Sequence, residues 1–294
     1  MSGGARRLAA RLYRDYVQPE RLDAFRAFLA RALDAGYETT TLTAFAARVA
    51  DGSAASCGRV LLIRHDVDSD VPRARRMRAI ERELGTVGTY FFRRATWDAA
   101  FMRALHAEGC DVGYHYEELA TLVKERGASE PGEARALIGP ARERLRSALA
   151  QLRADSGLAV DLLASHGDFA NRAVDVSNVE LLADAGFRAE LGVCLEAYDV
   201  EPHVDARISD NAWPGYWEPE DPAAALARGD RVVEVLVHTR AWGRAPAANA
   251  RADARRLLEG ASFSVRRGRA RTAARRRGGS AGPTGPSPSR RRRG

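Results

Sequence analysis

Val60-Leu61-Leu62-Ile63-Arg64-His65-Asp66-Val67-Asp68-Ser69-Asp70 is the stretch on which the fold turns. Four apolar residues run straight into Arg64, His65, Asp66 and Asp68. An apolar run that short, closed by polar residues, predicts a strand covered on both faces, as in a parallel sheet. Side chains two apart on a strand share a face, so Asp66 and Asp68 project together at the strand's carboxyl end. Two carboxylates that close repel, and a bound cation is the commonest reason for both to stay ionised. The simpler reading makes Asp68, Ser69 or Asp70 the cap of a helix that starts near Val71-Pro72.

Outward from this stretch, strand and helix patterns alternate. Apolar runs at 87–92, 110–114, 159–164, 187–193, 207–209 and 231–237 predict further strands. Helical spacing at 72–84, 97–108, 130–154, 178–185 and 222–228 fills the intervals. That alternation predicts a parallel sheet with right-handed crossovers. About seven such units predict an α/β fold, a distorted (β/α) barrel of about seven parallel strands. No GxGxxG or GxxxxGK[ST] follows a strand, which weighs against the nucleotide-binding α/β folds. Leu22, Phe25, Leu29 and Leu33 fall at helical spacing, and residues 1–58 read as an N-terminal helical extension. Residues 59–264 form the barrel domain. Residues 265–294, dominated by Arg, Gly, Pro and Ser, read as a disordered tail too poor in apolar surface to offset its ordering entropy.

The chain's 294 residues, 45% of them hydrophobic, suffice for one large α/β core. Its charge of +7 is unevenly spread: eleven of the 46 bases lie between Arg266 and Gly294 with no acid, leaving 35 bases against 39 acids elsewhere. The body is therefore mildly acidic, and the tail reads as a solvated segment more than a nucleic-acid arm. Three cysteines without a CxxC exclude a disulfide framework or a cysteine-rich zinc site. No window shows a signal-peptide core or the ~20 apolar residues of a membrane span, so the expectation is a cytoplasmic protein.

Parallel barrels carry chemistry at the carboxyl ends of their strands. The predicted strands deliver Asp66 and Asp68, then His115, His166, Asp210 and His238. One Asp and two His suit a catalytic zinc or similar ion with positions left open. A second Asp can take a proton from water, and a further His can protonate a leaving group. Asp66, Asp68, His115, His166 and His238 supply one of each. Tyr114, Tyr116, Trp213, Trp217 and Trp242 offer aromatic faces that serve a stacked ligand ring or core packing equally well. His65 reads as a residue that orients an Asp or packs beneath the site.

Arg-His-Asp-Val-Asp at 64–68, Gly-Tyr-His-Tyr-Glu at 113–117, Ser-His-Gly-Asp at 165–168 and Val-His-x-x-x-Trp at 237–242 together resemble the polysaccharide deacetylase (NodB-homology) family, as a divergent branch. The resemblance spans roughly 60–242. It implies a metal-dependent hydrolase that removes an N-acyl group, acetyl above all, from an amino sugar used in polysaccharide biosynthesis. It makes Asp66 the base, Asp68 and His115 metal ligands, and His238 the acid for the leaving group, with zinc as the expected ion. Leu236 matches an apolar contact for the acyl group, and Asp210 and Trp213 match the family's fourth motif. Tyr116, Asp210, Trp213, Leu236 and Trp242 are thus the candidate substrate contacts. The family's second HxxxH histidine falls at Leu119, so the third ligand comes from elsewhere: His166, or else Glu117 or Glu118. A deformylase or other hydrolase of non-peptide C–N bonds, and a metal-free barrel that binds carbohydrate, are the alternative functions.

Overall fold

The computed structural model describes residues 3–278. Nine strands are found there: β1 (Tyr37–Thr40), β2 (Arg59–Val67), β3 (Thr89–Phe92), β4 (Asp111–Tyr116), β5 (Leu162–Ser165), β6 (Leu195–Glu196), β7 (Ala206–Asp210), β8 (Trp217–Glu218) and β9 (Val232–His238). The helices that frame them are α1 (Gly3–Leu12), α2 (Leu22–Asp34), α3 (Leu42–Ala50), α4 (Val71–Glu83), α5 (Ala99–Ala107) and α6 (Glu118–Arg126). They continue with α7 (Pro131–Arg135), α8 (Ile138–Ser156), α9 (Phe169–Val174), α10 (Ala185–Leu191), α11 (Pro222–Arg228) and α12 (Pro246–Gly278).

The sheet runs β6-β5-β4-β3-β2-β9-β7-β8, parallel except for the antiparallel β7–β8 pair. It curls into an incomplete barrel, the distorted (β/α) barrel that the alternation predicts. β1 shares one edge of β2 with β3: Tyr37–Thr40 pair with Arg59–Leu62, and β3 takes over from Arg64. The hand-over is sealed by side chains, with the Leu42 amide donating to Thr89 Oγ1 and the Val87 amide to Thr39 Oγ1. A stretch inside 1–58 therefore pairs directly with the barrel's central strand.

One predicted strand is a helix instead. Residues 187–193 lie mostly in α10, because Asp184 accepts the Phe187 amide as N-cap and Gly192 closes the C-terminus at φ 62°. Phe187 and Leu191, four apart, then share the buried face, and the strand moves on to Leu195–Glu196. The last helix, α12, runs to Gly278, so the segment read as tail begins as helix; 279–294 lie outside the described residues.

The strands sort their side chains into two environments. Tyr90, Phe92, Val112, Tyr114 and Tyr116 point outward to the core beneath α5, α6 and α8. Leu61, Ile63, Val233, Val235 and Val237 point outward on the other flank, beneath α2 and α4. The inner face holds Val60, Leu62, Phe91, Leu162, Ala164, Leu195 and Val232, closed from below by Leu42 and Phe45 of α3. At Gly113 a Cβ would lie 2.5 Å from Phe91 and 2.7 Å from the Leu162 carbonyl, so only glycine lets Phe91 fill the interior there.

Candidate metal centre

On β2 the period of two places Arg64, Asp66 and Asp68 on the inner face, above Val60 and Leu62. The cap of α4 is Asp70, whose Oδ1 accepts the Arg73 amide; this frees Asp68 from capping. Neighbouring strands bring matching positions to the same rim. His238 is the register partner of Asp66 from β9, and His115 on β4 partners Ala164 on β5, just before His166.

Asp68, His115 and His166 each offer a ligand atom, and all three atoms lie within 4.8 Å of one another. Asp68 Oδ1 is 3.5 Å from His115 Nε2 and 3.6 Å from His166 Nε2. His115 Nδ1 is 2.9 Å from the Ala164 carbonyl, which can only accept, so Nδ1 donates there and Nε2 is turned to the cluster. Burial, with Arg93 and His115 nearby, pushes the His166 imidazole down to about 4 despite the pull of Asp68, so it is neutral near pH 7. Asp68 Oδ1 is shut off from solvent and accepts no hydrogen bond. A buried acceptor without a hydrogen-bond donor, with two imidazole Nε2 atoms 3.5 and 3.6 Å away, fits a divalent cation.

The Glu117 and Glu118 alternatives are engaged elsewhere. Glu117 pairs with Arg93 at 2.6 and 3.1 Å, and Glu118 is buried and takes the Tyr114 hydroxyl. A second grouping of Glu117, His166 and Asp168 has its carboxylates matched by Arg93 and by Lys124, 3.0 Å from Asp168, and Asp168 also caps α9. Leu119 is fully buried in the outer core, so α6 carries that position away from the rim.

Asp66 is almost fully buried and held by Arg64, Nε to Oδ1 at 2.9 Å and Nη2 to Oδ2 at 3.0 Å. Burial works against its charge, but Arg64 and then His115 outweigh it and hold the carboxyl well below the usual range. Arg64 was open to reading from sequence: it is two residues before Asp66, on the same face. Beneath it Glu234 is buried, neither of its oxygens accepts a hydrogen bond, and Arg207 Nε is 3.2 Å from Oε2.

Three predicted substrate contacts have other partners. Asp210 faces His238: its Oδ1 is 2.7 Å from Nδ1 and its Oδ2 takes the His238 amide at 2.7 Å. Trp242 is fully buried against Phe25 and Trp217, and its Nε1 donates to the same Asp210 oxygen at 2.9 Å. Tyr116 is fully buried on the outer face of β4, the face opposite His115, with its hydroxyl toward Glu196. Leu236 is half-buried on the His238 face, and Trp213 is 48% exposed beside Tyr13. Burial opposes the charge on His238, yet Asp210 overrides it and lifts the imidazolium to about 9. His65 lies on the outer face of β2, stacked on Tyr90 with Nε2 2.6 Å from Glu81; it touches neither aspartate.

No family profile matches the chain, and no curated protein matches it. Several solved structures are similar in part. One is a family 4 acetyl xylan esterase from Clostridium thermocellum in complex with a cobalt ion, at 16% identity over 61% of this chain and 74% of that one, TM-score 0.33. Another is the peptidoglycan deacetylase PdaC from Bacillus subtilis, at 14% identity over 76% of this chain and 98% of that one, TM-score 0.34. A third is BA3943, a CE4 family pseudoenzyme from Bacillus anthracis, at 12% identity over 62% of this chain and 55% of that one, TM-score 0.36. The likeness to these structures is at low identity and covers part of this chain.

Proposed function

We propose that this protein is a metal-dependent hydrolase of the polysaccharide deacetylase (NodB-homology) type, removing an N-acyl group, acetyl above all, from an amino sugar. The observation that carries the reading is the grouping of Asp68, His115 and His166, flanked by Asp66 with its arginine and by His238 with its aspartate. A divalent ion, zinc first, held by those three residues supplies Lewis acidity toward an acyl carbonyl and toward water. Asp66 accepts the proton that water loses as it adds to the carbonyl carbon. Arg64 keeps Asp66 ionised and aimed across the neutral pH range. His238, held as imidazolium by Asp210, gives its proton to the amine nitrogen as the C–N bond breaks. The products are a carboxylate and a free amine. Half-buried Leu236, beside His238 on the same face, suits a small acyl methyl, and exposed Trp213 suits the sugar face. The substrate is a nucleotide-linked or lipid-linked sugar of surface-polysaccharide assembly, met in the cytoplasm.

Metal content and amine release from a panel of N-acetylated nucleotide sugars test the proposal. Asp68→Ala is expected to lose both together. Metal content unchanged in that variant removes the site as drawn.

A further inference from the structure

Away from the rim, α1 and α12 form a cationic surface with exposed leucines. The following Tyr13–Val17 turn packs on the first turns of α12: Arg11 Nη2 is 2.8 Å from Asp253 Oδ1, the Tyr16 hydroxyl donates to Asp253 Oδ2 at 2.7 Å, and Asn249 Nδ2 donates to the Asp15 carbonyl at 2.6 Å. α12 then turns one side to the body, where Phe263 is buried beside Phe169 and Arg267 reaches the Ala173 carbonyl. Its other side carries Leu257, Leu258 and Val265, which are 74%, 70% and 56% exposed. Leu8 and Leu12, four apart on α1, are also exposed. Leu8 is three residues from Arg11 and Leu257 four from Asp253, so the Arg11–Asp253 ion pair joins the two helices on the sides that carry these two leucines. Exposed arginines accompany them: Arg6 and Arg7 on α1, Arg251, Arg255 and Arg269 on α12. The sequence adds eight more arginines from Arg271 to Arg293 and no acid.

From this juxtaposition we infer that the α1–α12 face docks on an anionic lipid surface. Leucines on a helix lying flat enter the acyl boundary, while arginines alongside meet acidic headgroups. Charge complementarity selects this occupant: a second copy of the chain would set arginine against arginine, and nucleic acid gains nothing from solvent-facing leucines. No helix among the described residues is long and apolar enough to cross a membrane, so the docking is in-plane. The inference stands or falls independently of the hydrolase reading.

Flotation of the full chain with vesicles tests it, using phosphatidylcholine alone and phosphatidylcholine mixed with phosphatidylglycerol. Binding is expected only with the anionic lipid, weakening as salt rises. Leu257→Glu/Leu258→Glu is expected to reduce partitioning about tenfold or more at unchanged melting temperature, since both positions are solvent-facing. Leu8→Glu is the independent check from the other helix. Failure to float with anionic vesicles overturns the inference, as does flotation indifferent to the leucine variants. It is equally overturned by a concentration-dependent dimer that the leucine changes abolish, or by binding to RNA with none to vesicles.

Discussion

Arg64→Met tests the layer on which the rim rests. Methionine approximates the arginine stem and removes the cation. The Arg64 side chain is 0% exposed and that of Asp66 4%, and two hydrogen bonds of 2.9 and 3.0 Å join them. Unit charges about 4 Å apart at an effective dielectric of about 20 interact by roughly 4 kcal/mol. Removing one member of a buried pair costs about 3–5 kcal/mol, because the other charge stays buried without its partner. For a domain of this size that loss lowers the melting temperature on the order of 10 °C. The sign with pH is defined. With Arg64 present, the Asp66 pKa lies below its unfolded value, so its contribution is complete above the ordinary carboxylate range and is lost only on strong acidification. In the Arg64→Met variant burial is opposed only by the weaker pull of His115 and His238, so the Asp66 pKa rises; the penalty is full at pH 7 and shrinks as acid protonates the carboxyl. Urea unfolding of metal-free protein at pH 7 and pH 5 measures both effects. A loss under about 1 kcal/mol at pH 7, the level of an exposed ion pair, or an equal loss at both pH values, would refute the reasoning. Arg64→Met/Asp66→Leu, which removes both charges, is expected to recover most of the stability.

Asp210→Asn removes the charge that lifts His238 to about 9, so imidazole NMR of the metal-free variant is expected to show titration at or below the ordinary value near 6.5. The stabilisation that His238 contributes in the parent is complete below 6.5 and lost as pH rises through 9; an unmoved His238 resonance would count against Asp210 as its partner. His115→Gln, which keeps the volume and loses the Nε2 lone pair, is expected to abolish stoichiometric metal on elemental analysis while the fold persists; full metal occupancy contradicts the ligand set. Gly113→Ala brings a Cβ to 2.5 Å from Phe91 and is expected to cost about 1–3 kcal/mol, read as a fall in melting temperature; an unchanged melt means that the interior yields.

Much of this was legible because periodicity survives in short strands. Apolar runs that end in Asp or His located β2, β4, β5 and β9, and their tips meet as a parallel sheet requires. What stayed hidden depended on partners far away in sequence. Asp210 is legible as a strand-tip residue, but its partner is not until β7 lies beside β9 and sets it against His238, 28 residues on. Tyr116 and Trp242 are ambiguous by composition, since an aromatic residue serves a core or a sugar equally well; only the facing of β4 and the packing of Phe25 on Trp242 settle it. The misread strand at 187–193 shows local chemistry prevailing over an apolar run, with an Asp cap before it and a left-handed glycine after it. Arg64 was in plain view, and the same alternation that joined Asp66 to Asp68 assigns it to their face.

The charges inside the barrel distinguish the carboxylates of the rim from one another. Going upward, apolar Val60, Leu62, Leu162 and Val232 give way to Glu234 and Arg64, then to Asp66, and last to Asp68 with the histidines. Each carboxylate but one meets a fixed cation or a proton. Asp66 has Arg64, Asp210 has the His238 imidazolium, Glu117 has Arg93, and Asp168 has Lys124. Glu234, buried away from water, is pushed toward its neutral form. Asp68 Oδ1 has no hydrogen-bonded partner: it lies 3.5 Å from His115 Nε2 and 3.6 Å from the Nε2 of His166, an imidazole kept neutral by burial. The arginine that pairs with Asp66 thereby leaves Asp68, of the two, as the carboxylate without a hydrogen-bonded cation. It separates two carboxylates that the sequence presents as equivalent, one tied to a guanidinium and the other open toward two imidazoles.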